Sequence, residues 1–201
     1  MKNEQCQAII LSTMDYGESD RIISLFSLEQ GRIRAFAKGA RASRKRFGGM
    51  LEPGNRLELT LQIKDQGLSR LERVEASRCY PGLRGSLETL ALSLYGCELV
   101  EALTPEGHPL PRLYRLLSAL LDHLETGAGS PTDRRFFEIN LLNILGYRPP
   151  LEEISLRPLQ NCLRTGTFGL VQFSADELFF SGKLLDKIIS GHIMRPLQSL
   201  A

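Results

Sequence analysis

The sequence predicts an α+β chain in which a small five-stranded β-barrel precedes a helical domain. Three observations carry the prediction. Apolar residues alternate with polar ones up to about residue 80, they recur at helical spacing from Leu87 onward, and Pro81-Gly82 stands where the period changes. The boundary divides the 201 residues into 1–80 and 81–201, lengths that suit two small domains.

In the first half, Gln7 to Met14 is a β-rich run that ends at the turn Tyr16-Gly17. Arg21 to Ser27 alternates around Ile23 and Leu25, and Gly31 opens a third strand, Arg32 to Lys38. Arg56 to Lys64 alternates polar and apolar without a break, the pattern of a half-buried strand. Asp65-Gln66-Gly67 joins it, as a short hairpin connection, to a fifth strand over Leu68 to Ala76. Five short strands fit a barrel, because closure removes the edges that an open sheet would expose.

In the second half, Leu90, Ala91, Leu94 and Cys97 keep helical spacing until Pro105-Glu106-Gly107. Leu110 to Thr126 is a second helix. A third begins at Ser130-Pro131, a Ser cap before Pro at the first helical position, and runs to Leu145. Its apolar residues cover most of the circumference, which makes it central to its bundle. Residues 147–173 hold no long period and are expected to be an irregular insert. Ser174-Ala175-Asp176-Glu177 is a capping box, flanked by Phe173 and Leu178 at the staple positions, and a final helix is expected from Lys183 to Pro196.

Composition bounds the function. The chain is 42% hydrophobic, enough for a packed core, but no apolar stretch approaches a membrane span and the N-terminus lacks the pattern of a secretory leader. A cytoplasmic protein with no membrane association is the expectation. Cys6, Cys79, Cys97 and Cys162 form no C-x-x-C pair, and His108, His123 and His192 are isolated. With no P-loop, nucleophile elbow or catalytic carboxylate pair at motif spacing, the chain is expected to be no enzyme and to hold no metal or cofactor. Asp15, Glu18 and Asp20 are the close acidic group of the β half that a metal-dependent nuclease would need, but Glu18 and Asp20 also suit a turn, where such side chains bond the local backbone.

The charge pattern is more informative. Residues 1–80 hold 14 basic and 10 acidic side chains, residues 81–201 hold 11 and 13, and the net charge is only +2. Arg32, Arg34, Lys38, Arg41, Arg44, Lys45 and Arg46 are seven cations in fifteen residues with no acidic neighbour. Such a run reads as a solvated face or as a surface for a polyanion, nucleic acid first. Gly39, Gly48, Gly49 and Pro53-Gly54 make the segment a mobile connection, and Phe36 and Phe47 flank its most basic part. Rings beside cations suit single-stranded nucleic acid, although a core position is the stronger reading for each Phe, and Phe36 alternates with Ile33 and Ala35 in a strand-like stretch.

Six segments resemble one family. They are Tyr16-Gly17-Glu18-Ser19-Asp20, Gly31, Ala37-Lys38-Gly39-Ala40-Arg41, Tyr95-Gly96-Cys97-Glu98-Leu99, Phe137-Glu138-Ile139-Asn140-Leu141-Leu142 and Leu145-Gly146-Tyr147-Arg148-Pro149. In this order, around a β-then-α layout, they resemble the bacterial RecO family of recombination mediators. The resemblance implies an N-terminal OB fold and a C-terminal helical domain. It also implies a DNA-repair and recombination role: binding of single- and double-stranded DNA at the nucleoid, annealing of complementary strands, and, with RecR, loading of RecA onto DNA coated by single-strand-binding protein.

Two further expectations follow from it. Many members carry a four-cysteine zinc site after the Gly-Tyr motif, where residues 147–173 offer only Cys162, and one thiolate cannot hold a structural zinc. The acidic, apolar-ended tail of single-strand-binding protein needs an apolar groove rimmed by cations, for which Arg112 with Arg115, beside Leu113, Leu116 and Leu117, and Arg134 with Arg135 are the candidates. The alternative to DNA annealing is a protein-interaction adaptor acting mainly through the helical domain.

Overall fold

The first strand, β1 (Lys2–Tyr16), is long enough to pair on both sides. Its residues 2–9 run antiparallel to β4 (Arg56–Ile63), and residues 8–16 run antiparallel to β2 (Asp20–Ser27), with a register shift between Ile10 and Ser12. A shift of this kind bends a strand and tightens its twist, which lets one strand serve two neighbours. In this computed structural model the described residues are 2–42, 47, 49–64, 67–127, 129–152 and 156–193.

β2 pairs with β3 (Gly31–Ala37), and β3 meets β5 (Ser69–Arg78) in a short parallel contact, Ala35 opposite Ser69 and Phe36 opposite Arg70. The barrel closes in the order β1-β2-β3-β5-β4, the five-stranded OB arrangement. β1 begins earlier than its apolar run, because Asn3, Glu4 and Gln5 pair through their backbones with residues 60–62 of β4.

Two compact units are resolved, and the first joins residues 1–81 to 97–114. Its barrel core takes Cys6, Ala8 and Ile10 from β1, Ile23 and Leu25 from β2, Ala35 and Ala37 from β3, and Leu57, Leu59, Leu61 and Leu71 from β4 and β5. Phe47 and Leu51, from the connection after β3, complete it. Side chains alternate along a strand, so Ile9 and Phe26 face outward, yet both are fully buried. Residues 97–114 cover Phe26 and tie down β1: Tyr114 packs 6.4 Å from the Phe26 ring, and Ser12 Oγ donates to Glu101 at 3.0 Å. Gly31 has φ +72°, and a Cβ there would run into the His108 backbone carbonyl, so glycine alone fits.

The helices are α1 (Leu87–Leu103), α2 (Pro111–Thr126), α3 (Pro131–Leu145), α4 (Arg157–Thr165) and α5 (Ala175–His192), preceded by a 3-10 turn at Pro81–Arg84. The second unit holds residues 82–96 and those from 115 onward. α3 is its centre, with Phe136, Phe137, Ile139, Leu141 and Leu142 buried, and Ser130 caps it through Asp133 N–H.

Two expectations are corrected here. Residues 147–173 are not irregular throughout, because α4 forms inside them and buries Leu159 and Cys162, three residues apart on one face. The last helix starts at Ala175, not Lys183, since the Ser174 and Glu177 capping box opens it directly.

Candidate nucleic-acid interface

The turn between β1 and β2 and the chain leaving β3 are fastened together. Asp20 accepts a 2.7 Å hydrogen bond from Gly39 N–H and a 3.1 Å bond from Ser19 Oγ, and Arg41 N–H donates to the Ser19 carbonyl at 2.9 Å. Asp15 receives Arg21 at 3.1 Å and Arg41 at 3.3 Å, and the Arg41 guanidinium also reaches the Gly17 carbonyl. Asp15 and Asp20 are therefore engaged in holding this turn. The segments Tyr16–Asp20 and Ala37–Arg41, distant in sequence, form one structural unit.

The seven predicted cations divide by position. Arg32 is committed: its Nε donates to the Thr104 carbonyl at 2.9 Å and its guanidinium pairs with Glu106 at 3.2 Å, leaving 18% of the side chain exposed. Arg34 and Lys38 are exposed and pair with no carboxylate among the described residues. Arg41 is exposed but tied to Asp15. Arg44, Lys45 and Arg46 lie outside the described residues. Phe47, which flanks them, is 3% exposed and belongs to the barrel core.

Phe36 differs from its expected core position. Its neighbours Ala35 and Ala37 are fully buried in the barrel, so Phe36 points to the outer face, where it is half-buried and meets the exposed Tyr16 ring edge-to-face at 5.9 Å. Sequence reasoning missed Tyr16, Met14 and Arg70 on this face. The signal was present in the period-two spacing of Met14 and Tyr16, which places both on one side of β1.

The helical candidates also divide. Arg112 and Arg115 are exposed on α2, but Leu113 and Leu117 beside them are fully buried core residues. Arg134 and Arg135 converge instead on Glu138, which is fully buried: Arg134 Nε at 2.9 Å, Arg135 Nη1 at 2.5 Å, and the Tyr95 hydroxyl donating at 2.6 Å. Asp186 pairs with both arginines from α5, at 3.3 and 3.4 Å. Burial, reinforced by the Glu138 charge, pushes the Tyr95 phenol well above its ordinary range. Burial alone would lower Arg134, but Glu138 and Tyr95 more than offset that and hold the guanidinium charged. These two arginines serve a buried carboxylate and form no open rim.

Cys162 does not suit a structural zinc. Its thiol is fully buried on α4 and pushed up to about 12 by that burial, and among the described residues no group of three or more His, Cys, Asp or Glu side chains converges. A tetrahedral zinc needs four ionised or neutral donors around one point. Among the described residues no helix is long and apolar enough to cross a membrane.

Residues 1–80 match the family model described as Recombination protein O N terminal, and residues 84–154 match Recombination protein O C terminal. The DNA repair protein RecO of Pelobacter propionicus is 47% identical, over 100% of this chain and 96% of that relative. The RecO proteins of Geobacter sulfurreducens and Geobacter metallireducens are 42% and 41% identical, over 98% and 100% of this chain and 96% and 97% of theirs. The first alignment spans 235 positions against 201 residues, so at least 34 internal positions of that relative have no counterpart here. With both halves matched in order around an OB barrel and a helical domain, the chain belongs to the RecO family of DNA repair proteins.

Proposed function

We propose that this chain binds single- and double-stranded DNA through the outer face of β3 and the connection that follows it, anneals complementary strands, and with RecR promotes loading of RecA onto DNA coated by single-strand-binding protein. It works in the cytoplasm, at the nucleoid, without covalent chemistry. The observation that carries the reading is the pair Arg34 and Lys38, exposed, without an acidic partner among the described residues, and leading into Arg41, Arg44, Lys45 and Arg46. Such cations contact phosphate, and phosphate contacts carry affinity without reading base sequence. Neutralised phosphates repel less, so two complementary strands held on this surface approach each other more easily.

Arg32 is left out of the DNA-contacting set, since its guanidinium is occupied by Thr104 and Glu106. The tail of single-strand-binding protein is the proposed partner of the helical part, with Arg112 and Arg115 as the exposed candidate pair. A strand-annealing assay over a range of salt, with and without RecR and single-strand-binding protein, tests the proposal. If about four cations reach phosphates, affinity for single strands falls with salt at a log-log slope of about −3. Salt-independent binding, or full annealing by a variant with Arg34, Lys38, Arg41, Arg44, Lys45 and Arg46 all changed to Ala, overturns it.

A further inference from the structure

We infer that the outer face of the barrel beside the β1–β2 turn is a stacking platform for the unpaired bases of single-stranded DNA, with Tyr16 and Phe36 as its rings. This rests on the DNA-binding reading above and deepens it. Cations alone do not distinguish one strand from two; exposed ring faces do.

The register assembles the platform from four strands. Met14 of β1 lies opposite Ile22 of β2, Ile22 opposite Phe36 of β3, and Phe36 opposite Arg70 of β5. Residues directly opposite one another share a face, and Tyr16 is two residues beyond Met14, so it shares that face as well. The result is a contiguous apolar surface with a charged border. Met14 is 53% exposed and Tyr16 55%, although apolar side chains of this size are more often turned inward.

Tyr16 is also oriented. Its ring stands at 86° to that of Phe36, and an edge-to-face pair leaves ring surface open to solvent, which a base can cover. Arg34 lies two residues before Phe36 along β3, roughly 7 Å to one side, and Lys38 two residues after it, in the turn just past the strand, where both can follow a phosphate backbone as its bases lie on the rings. Arg70, across from Phe36, is 51% exposed and paired with Glu72 at 3.1 Å. Aromatic surface interleaved with cations is the combination by which single strands are held, the rings taking bases and the charges taking phosphates.

A duplex cannot use such a surface in the same way. Its base faces already cover one another, so it offers phosphates only, and the rings contribute nothing to its affinity. The platform therefore predicts a single-strand preference that resides in Tyr16 and not in the charge.

The chain contains no tryptophan, so Tyr16→Trp introduces a sole indole that keeps a stacking ring and reports on it. Its fluorescence is expected to be quenched by an oligothymidylate and left largely unchanged by a blunt duplex of equal charge. Tyr16→Ala is expected to weaken single-strand binding about tenfold or more while duplex binding changes by less than about twofold, and Tyr16→Phe to bind like the parent. A urea midpoint for each variant in the full-length chain verifies that folding is unaffected. Equal losses on single strand and duplex, or no loss on either, overturn the platform while leaving the phosphate reading intact. Absence of DNA binding by the parent chain overturns both.

Discussion

The Asp20 carboxylate accepts the backbone N–H of Gly39 at 2.7 Å, the shortest of the bonds that join the turn after β1 to the chain leaving β3. Gly39 has φ +69°, a conformation that glycine adopts without strain, and the bond fixes where the basic connection departs from the barrel. Asp20→Ala is expected to destabilise the chain by about 1 to 2 kcal/mol, because a charge-assisted bond to a backbone donor is lost. Asp20→Asn keeps an acceptor oxygen and should lose less. Urea midpoints of the two variants give the order.

Glu138 is the anchor of the second unit. It is fully buried and receives Tyr95, Arg134 and Arg135, so Glu138→Ala removes the buried carboxylate that two guanidinium groups share and leaves them only the exposed Asp186 as a partner. A loss of about 3 to 5 kcal/mol is expected, well beyond the removal of an exposed ion pair. Chemical denaturation followed by far-ultraviolet circular dichroism measures it. Asp186→Ala, at the exposed end of the same network, should cost less than about 1 kcal/mol.

Gly31→Ala tests the close approach between β3 and the segment that covers the barrel. The φ of +72° disfavours any side chain, and the His108 carbonyl occupies the space a Cβ needs. A loss of about 2 kcal/mol or more is expected from strain and displacement together, read as a fall in the urea midpoint. Gly17→Ala supplies the comparison, since Gly17 has φ +59° with nothing near its Cβ position, and it should lose only the smaller backbone part.

Stability should fall in alkali. Burial raises the thiols from the ordinary 9.0 to about 11 at Cys6 and about 12 at Cys97 and Cys162. The unfolded thiols ionise first, so above pH 9 the unfolded chain holds fewer protons than the folded one and gains free energy relative to it. Stability is therefore fully present below pH 9 and declines until the folded thiols ionise, by at most about 1.4 kcal/mol per pH unit for each thiol. Urea midpoints at pH 8 and pH 10.5 should differ in the parent and differ less in a variant with Cys6, Cys97 and Cys162 changed to Ala.

Much of the fold was legible because its signals are local. β4 alternates strictly and was read within one residue, and α3 announces its start with Ser130-Pro131 and its end with Gly146. The first residues of β1 were not legible, because Asn3, Glu4 and Gln5 are polar and their strand form comes from backbone pairing with β4. α4 escaped for a different reason: nine residues make fewer than three turns, too few for a period to stand out.

The candidate site was legible as charge and not as geometry. That Arg32 belongs to Thr104 and Glu106 depends on residues more than seventy positions away, which no local pattern reveals. Arg134 and Arg135 carried a readable warning, since Glu138 stands four and three residues on, the spacing of helical ion pairs. Phe36 was read in the wrong sense because a lone aromatic says nothing about which face it takes, whereas the core reading of Phe47 agrees with its burial. The pleat turns Phe36 outward, and the connection after β3 carries Phe47 into the barrel.

The cover that Tyr114 lays over Phe26 comes late in the order of synthesis. Every barrel strand has been synthesised by residue 78, yet the hydrophobic outer seam of β1 and β2 stays wet until another thirty-six residues emerge, ending with Tyr114. During that interval a paired barrel presents the Phe26 ring uncovered by Tyr114, apolar surface of the kind that chaperones bind and that neighbouring nascent chains can stick to. A gene fragment cut at residue 80 freezes the protein at that stage, whereas one extended through Tyr114 carries its own lid against aggregation.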